Sequence, residues 1–202
     1  MIIAATLNLL FAPNSTGMIT QRYISTARYQ NSVPFFLDFE ASSLAEGSYP
    51  IEIAWGDING VHESHLISPA EVEDWTDWSI ISETIHGISK IQLNREGRSP
   101  KWVCERVCEA LDGKVVYSDA PSYDGFWLSR LFEASGYPPP DIRFEHIDRL
   151  LLNSTEGDRL FGQDLDSFLR DVKARARRKA PGQHRAAWDV TYLIECYRLA
   201  RR

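Results

Sequence analysis

The chain has 202 residues, 44% of them hydrophobic and 25% charged, which is the composition of a soluble globular protein with enough length for one full core. No stretch approaches the roughly 20 apolar residues that a membrane span needs, and the three cysteines lack framework spacing, so a reducing, cytoplasmic setting is expected. The formal net charge of −6 argues against coating nucleic acid through bulk charge, but not against an enzyme that grips one strand end with a local basic patch.

Residues 1–31 read as an N-terminal extension, or as sequence upstream of a start at Met18, and a single domain is expected over 32–202. Val33, Phe35, Leu37 and Phe39 alternate with other residues and predict a first strand. Tyr49 to Gly56 predicts a second, with Ile51, Ile53 and Trp55 on one face, and Asp57-Ile58-Asn59-Gly60 is turn chemistry. Val61 to Ile67 returns as a third strand, so the opening reads as an antiparallel meander. Pro100 to Leu111 has helical spacing and stops before Gly113, with Cys104 and Cys108 sharing a buried face. Lys114 to Tyr117 is a short strand, Ser122 to Ser135 a helix, and Phe144 to Leu150 an edge strand. Leu165, Phe168, Leu169 and Val172 mark another helix, and Ala186 to Leu199 the last. The order predicts an α/β fold: a mixed sheet, with a three-strand meander plus parallel strands, flanked by helices.

Three places hold chemistry-bearing residues. Asp38 and Glu40 lie two apart on the first strand, so both carboxylates leave the same face of an otherwise apolar run. That is tolerable at a surface strand end, or with a cation between them. Asp124 opens the helix after the KVVY strand, where the helix dipole alone would also favour it. His184 follows the break at Pro181-Gly182 and precedes Asp189 by five positions. Five positions turn a helix by about 140°, so the two cooperate only if His184 sits at or before the helix start.

In this order the set resembles the DEDDh family of 3′→5′ exonucleases, which includes the proofreading exonuclease of bacterial DNA polymerase III, RNase T and oligoribonuclease. The first family motif matches Asp38-Phe39-Glu40, the second Asp124 within Ser122-Tyr123-Asp124-Gly125-Phe126, and the third His184-Arg185-Ala186-Ala187-Trp188-Asp189. The Asn usual before the second motif is missing, and Ala41-Ser42 stands where many members have Thr-Gly. The resemblance implies an RNase H-like sheet and hydrolysis of DNA or RNA from a free 3′ end, releasing nucleoside 5′-monophosphates. It implies two divalent ions, Mg²⁺ or Mn²⁺, about 4 Å apart. Asp38, Glu40 and Asp189 would hold one, Asp38 and Asp124 the other, and His184 would be the general base.

His86, in Ile85-His86-Gly87-Ile88, would help place the terminal nucleotide in such a family, through shape rather than acid–base work, with a simple turn as the alternative. The basic run Arg170, Lys173, Arg175, Arg177, Arg178, Lys179 and Arg185 crowds the approach to His184. Arg177, Arg178 and Arg185 are the expected phosphate contacts, against the alternative of a solvated helix face. Trp75 and Trp78 are candidates for stacking unpaired bases, while Trp55, Trp102, Trp127 and Trp188 are expected in the core. The expected partners are single-stranded DNA or RNA 3′ ends, with homodimerisation compatible with the sequence. An exoribonuclease of short RNA, a non-catalytic module of the same fold and an RNase H-like endonuclease are the competing readings.

Overall fold

A computed structural model describes residues 33–154, 164–182 and 184–202; the expected N-terminal extension lies outside the described residues. The meander forms as β1 (Phe35–Ala41), β2 (Pro50–Asp57) and β3 (Gly60–Leu66). Three helices follow, α1 (Ile80–His86), α2 (Lys90–Glu96) and α3 (Pro100–Leu111). Then come β4 (Val115–Ser118), α4 (Pro121–Ser135), β5 (Arg143–His146), α5 (Ile147–Ser154), α6 (Leu165–Lys179) and α7 (Ala186–Ala200). The five strands lie in the order β3-β2-β1-β4-β5. β1–β2 and β2–β3 pair antiparallel, whereas β4 runs parallel to both β1 and β5.

β1 is central and covered on both sides, which the alternation alone did not reveal. Its odd positions Leu37, Phe39 and Ala41 join Ile51, Ile53 and Trp55 of β2 in a core closed by α3 and α4. Phe36 points the other way, into a second core with Ala54 and the apolar faces of α5, α6 and α7. A strand flanked by strands and buried on two faces holds its side chains rigidly.

Several elements differ from the sequence expectation. The segment expected as one edge strand, Phe144 to Leu150, pairs only to His146 and then turns into α5. Ile147 and Leu151, one helical turn apart, are fully buried there, so the second core selects a helix. The stretch before Pro100 contains two helices of only seven residues each, capped by Ser79 and Ser89 side chains. Helices this short are set by their caps and tertiary contacts rather than by periodicity. Among the described residues, no helix is long and apolar enough to cross a membrane.

The β2–β3 hairpin depends on Gly56. A Cβ there would stand 2.3 Å from the carbonyl oxygen of Gly60 and 2.8 Å from the Val61 Cα, at the point where the register shifts. Both obstacles are backbone, so neither can swing away. Gly56→Ala should cost about 1–3 kcal/mol, the range for overpacking, read as a lower urea midpoint with an unchanged slope. An unchanged midpoint would show that the hairpin opens freely.

Candidate active site

Strand parity places the first two acids. Asp38 and Glu40 leave β1 on the same face as Phe36, the face that α7 covers. Asp189 lies in the first turn of α7. Carboxylate oxygens of Asp38, Glu40 and Asp189 all lie within 4.8 Å of one another. Two strand residues and one helix residue, 149 positions apart from Asp189 to Glu40, thus form one acidic cluster.

Asp124 stands beside this cluster and is buried at the start of α4. One of its oxygens accepts the Phe39 backbone N–H at 3.2 Å, and the other accepts the Ser118 hydroxyl. It therefore ties α4 to both parallel strands. Asp38, Glu40, Asp124, Asp189 and His184 all line one cleft of about 270 Å³, together with Asp119 and Arg177. The cleft sits past the carboxyl ends of the parallel strands β1 and β4, where open α/β sheets bind ligands.

His184 lies two residues before α7, as the spacing required. Its φ is +58°, a left-handed conformation found at no other non-glycine among the described residues. Such a conformation costs a non-glycine residue about 1–2 kcal/mol, so something must hold it. Its backbone N–H donates to Asp189. Gly182, just upstream, lets the Trp188 ring approach: a Cβ there would meet that ring at 2.6 Å. Trp188, expected in the core, is 53% exposed, because it lies on the outer side of the α7 start.

The basic residues separate into different surroundings. Arg177 reaches the cleft, where its guanidinium lies 3.5 Å from an Asp189 oxygen and 3.8 Å from the centre of the Tyr192 ring. Arg178 is exposed on the last turn of α6. Arg185 turns inward instead and binds the buried Glu52 through Nη2 at 2.7 Å and Nε at 3.0 Å. Lys173, Arg175 and Lys179 pair with Asp148, Asp171 and Glu195, as ordinary helix-surface cations do.

His86 is buried and borders a second cavity of about 240 Å³ that also touches Glu40 and His184. Its Nδ1 accepts the Ile88 N–H at 3.0 Å, and burial holds its pKa below the ordinary imidazole value. Trp75 is not free to stack on bases, since it is buried face-on against Tyr49 at 5.0 Å. Trp78 donates its indole N–H to Glu83 at 2.7 Å and packs edge-on against His86. Asp119 and Glu52 are residues of the site that the sequence reading did not single out. Glu52 had a signal, as an acid set inside the apolar stretch Pro50 to Trp55 of β2.

Crowding dominates the electrostatics. Burial, followed by repulsion from Asp124, Asp189 and Glu40, pushes Asp38 well above the usual carboxylate range. Burial and the neighbouring Asp189 and Glu52 push Glu40 up to about 8, against the pull of Arg185. Burial raises Asp124 to about 7 despite its two hydrogen bonds, and burial raises Asp189 despite Arg177. Acids held this close in a low-dielectric cleft, with only oxygen donors, fit a hard divalent cation that would relieve their repulsion.

These carboxyls ionise near pH 4 when unfolded and higher when folded. Their stabilising contribution is full below about pH 4 and is lost as pH rises through about 7 for Asp124 and about 8 for Glu40. With a chelator present, the melting temperature should fall by several degrees from about pH 5 to about pH 8, since 1 kcal/mol is about 2–4 °C at this size. Mn²⁺ should raise it, and more at the higher pH, because binding displaces protons. A Mn²⁺ shift independent of pH would contradict this electrostatic picture.

No protein-family model and no curated sequence matches the chain. Solved structures do. E. coli exonuclease I in complex with a dA16 oligonucleotide superposes with a TM-score of 0.59 at 14% identity, over 84% of this chain and 40% of that one. The zinc-bound complex of the same enzyme with single-stranded DNA gives 0.57 at 16%, over 84% and 40%, and the apo enzyme 0.58 at 15%, over 84% and 42%. The chain thus spans about two fifths of the length of exonuclease I. The likeness establishes the fold: a mixed five-stranded sheet flanked by helices, of the RNase H-like type.

Proposed function

We propose that the chain is a metal-dependent 3′→5′ exonuclease of the DEDDh type, acting on single-stranded DNA ends. The observation that supports it most is the convergence of Asp38, Glu40 and Asp189 within 4.8 Å, with His184 on the same cleft. The order of the motifs and the fold shared with exonuclease I support the same reading. Single-stranded DNA is favoured because that is what the similar enzyme holds in two of its complexes.

Asp38, Glu40 and Asp189 would hold one divalent ion, and Asp38 with Asp124 a second. When bound, such ions supply charge neutralisation at the phosphodiester and a more acidic water. His184, at the exposed end of the cleft, accepts the proton of the attacking water as general base. Asp124 fixes α4 against β1 through the Phe39 N–H, which keeps the two halves of the carboxylate set in register. Arg177 and Arg178 hold backbone phosphates at the mouth, and His86 with Ile85 shapes the adjoining cavity for the terminal nucleotide. Arg185 is left out of the phosphate contacts, because Glu52 already binds it.

The deciding experiment is Mn²⁺-dependent digestion of unblocked and 3′-phosphate-blocked DNA and RNA of equal sequence. Unblocked DNA should be shortened to nucleoside 5′-monophosphates and the blocked strand spared; equal cleavage of both would point to an endonuclease. Asp38→Asn should abolish turnover, and full activity in that variant would end the assignment. His184→Ala should lower kcat by about 10²–10⁴, the usual worth of general base catalysis. Arg177→Ala with Arg178→Ala should weaken binding and reduce the slope of log K against log salt by about 1.4, at about 0.7 per phosphate on single strands. An unchanged slope would remove these two arginines from the interface.

A further inference from the structure

Glu52 lies directly across from Glu40 in the β1–β2 register, on the same face of the sheet. Like charges in that position repel, so a carboxylate there needs a reason and a neutralising partner. It is 2% exposed, in a strand whose every residue is buried.

Its partners all belong to one short stretch on the far side of the cleft, apart from a long contact with the Ser64 hydroxyl at 3.4 Å. Arg185 gives Nη2 at 2.7 Å to one oxygen and Nε at 3.0 Å to the other. The backbone N–H of Ala186, the first residue of α7, donates to Glu52 at 3.0 Å. That N–H is one of the orphan donors at a helix start. The residue in the capping position is Arg185, which makes no side-chain cap. Glu52 therefore caps α7 from another strand, with its charge favourably placed at the helix's positive end.

The capped turn is the one that carries His184. The residue immediately before the clamp holds the left-handed φ of +58°. A strained residue persists only where its surroundings over-determine it. Here the His184 N–H is tied to Asp189 on one side, and the next two residues are tied to Glu52 on the other.

We propose that Glu52 is a positioning residue: it clamps Arg185 and Ala186 so that His184 is held in its left-handed conformation facing the carboxylates. This rests on the exonuclease reading for its kinetic consequence, though not for its conformational one. Glu52→Gln should lower kcat about ten- to hundredfold, the range for groups that orient the residues of a metal site. KM should stay within about twofold.

The test is a double-mutant cycle between Glu52→Gln and His184→Ala in the full chain, with Mn²⁺. If Glu52 acts through His184, Glu52→Gln adds no further loss in the His184→Ala background. Losses that multiply, or an unchanged kcat in Glu52→Gln, overturn the proposal. Because Glu52→Gln strands Arg185, a second variant, Glu52→Leu with Arg185→Met, removes both charges. It should fold and remain slow; recovery of wild-type kcat there would overturn the clamp. A readout independent of activity is the HN–Hα coupling of His184, which should leave its left-handed value in Glu52→Gln. Should the wild-type chain cleave nothing, the exonuclease reading fails, and this coupling still decides the clamp: a His184 that stays left-handed overturns it.

Discussion

The structure is organised around one electrostatic constraint, the crowding of ionisable oxygens on a single face of β1. Asp38 and Glu40 cannot diverge, because strand parity sends both to the same side and the flanking strands fix the pleat. Asp189 arrives from α7 and Asp124 from α4, which adds further like charge rather than relief. Such a face is costly in isolation, and it is held in place by two apolar cores that depend on the same strand. Leu37 and Phe39 anchor β1 into one core and Phe36 into the other. The acids are therefore embedded in the stiffest part of the sheet, where they have little freedom to move apart.

The parallel pairing of β1 with β4 decides which other residues join them. Parallel neighbours end on the same edge, so the loop after β4 and the start of α4 open beside the carboxyl end of β1. That places Asp119 and Asp124 at the cleft. Had β4 been antiparallel to β1, the same residues would have emerged at the opposite edge. The hydrogen bond from the Phe39 N–H to Asp124 then welds helix to strand at the point where they meet.

What the sequence disclosed follows from which forces are local. Asp38 and Glu40 were legible because period-two geometry is a property of the strand itself. The bounds of α3 were legible because the apolar spacing from Pro100 to Leu111 and the stop at Gly113 all lie within the helix or at its edge. The helical angle between His184 and Asp189 set the condition that His184 precede the helix, and it does so by two residues. Long-range effects were not legible in this way. Ile147 to Ser154 is helical because the second core needs Ile147 and Leu151 on one side, and that core is assembled from distant α6 and α7. Trp75 became a core residue through Tyr49, 26 positions away. Trp188 packs its ring against Gly182, six positions upstream, and stays half-exposed, a contact that helical spacing within the last helix does not show. Arg185 looked like one more cation in a basic run, and only the register that brings Glu52 opposite Glu40 shows what it faces.

That register also explains how an acidic chain places positive charge within its site. Arg177, from the end of α6, and Arg185, just before α7, answer different acids. Arg185 meets a buried carboxylate, so most of its charge is matched locally, and what is left pulls on the neighbouring Glu40. Arg177 lies at the half-exposed mouth, shares one longer contact with Asp189, and rests on the Tyr192 ring. A guanidinium held over a ring face spends no N–H donor on that contact, so its donors stay available for other acceptors. The same residue type thus serves as internal support in one position and as an outward-facing cation in the other, and the difference lies in the burial of the acid each one meets.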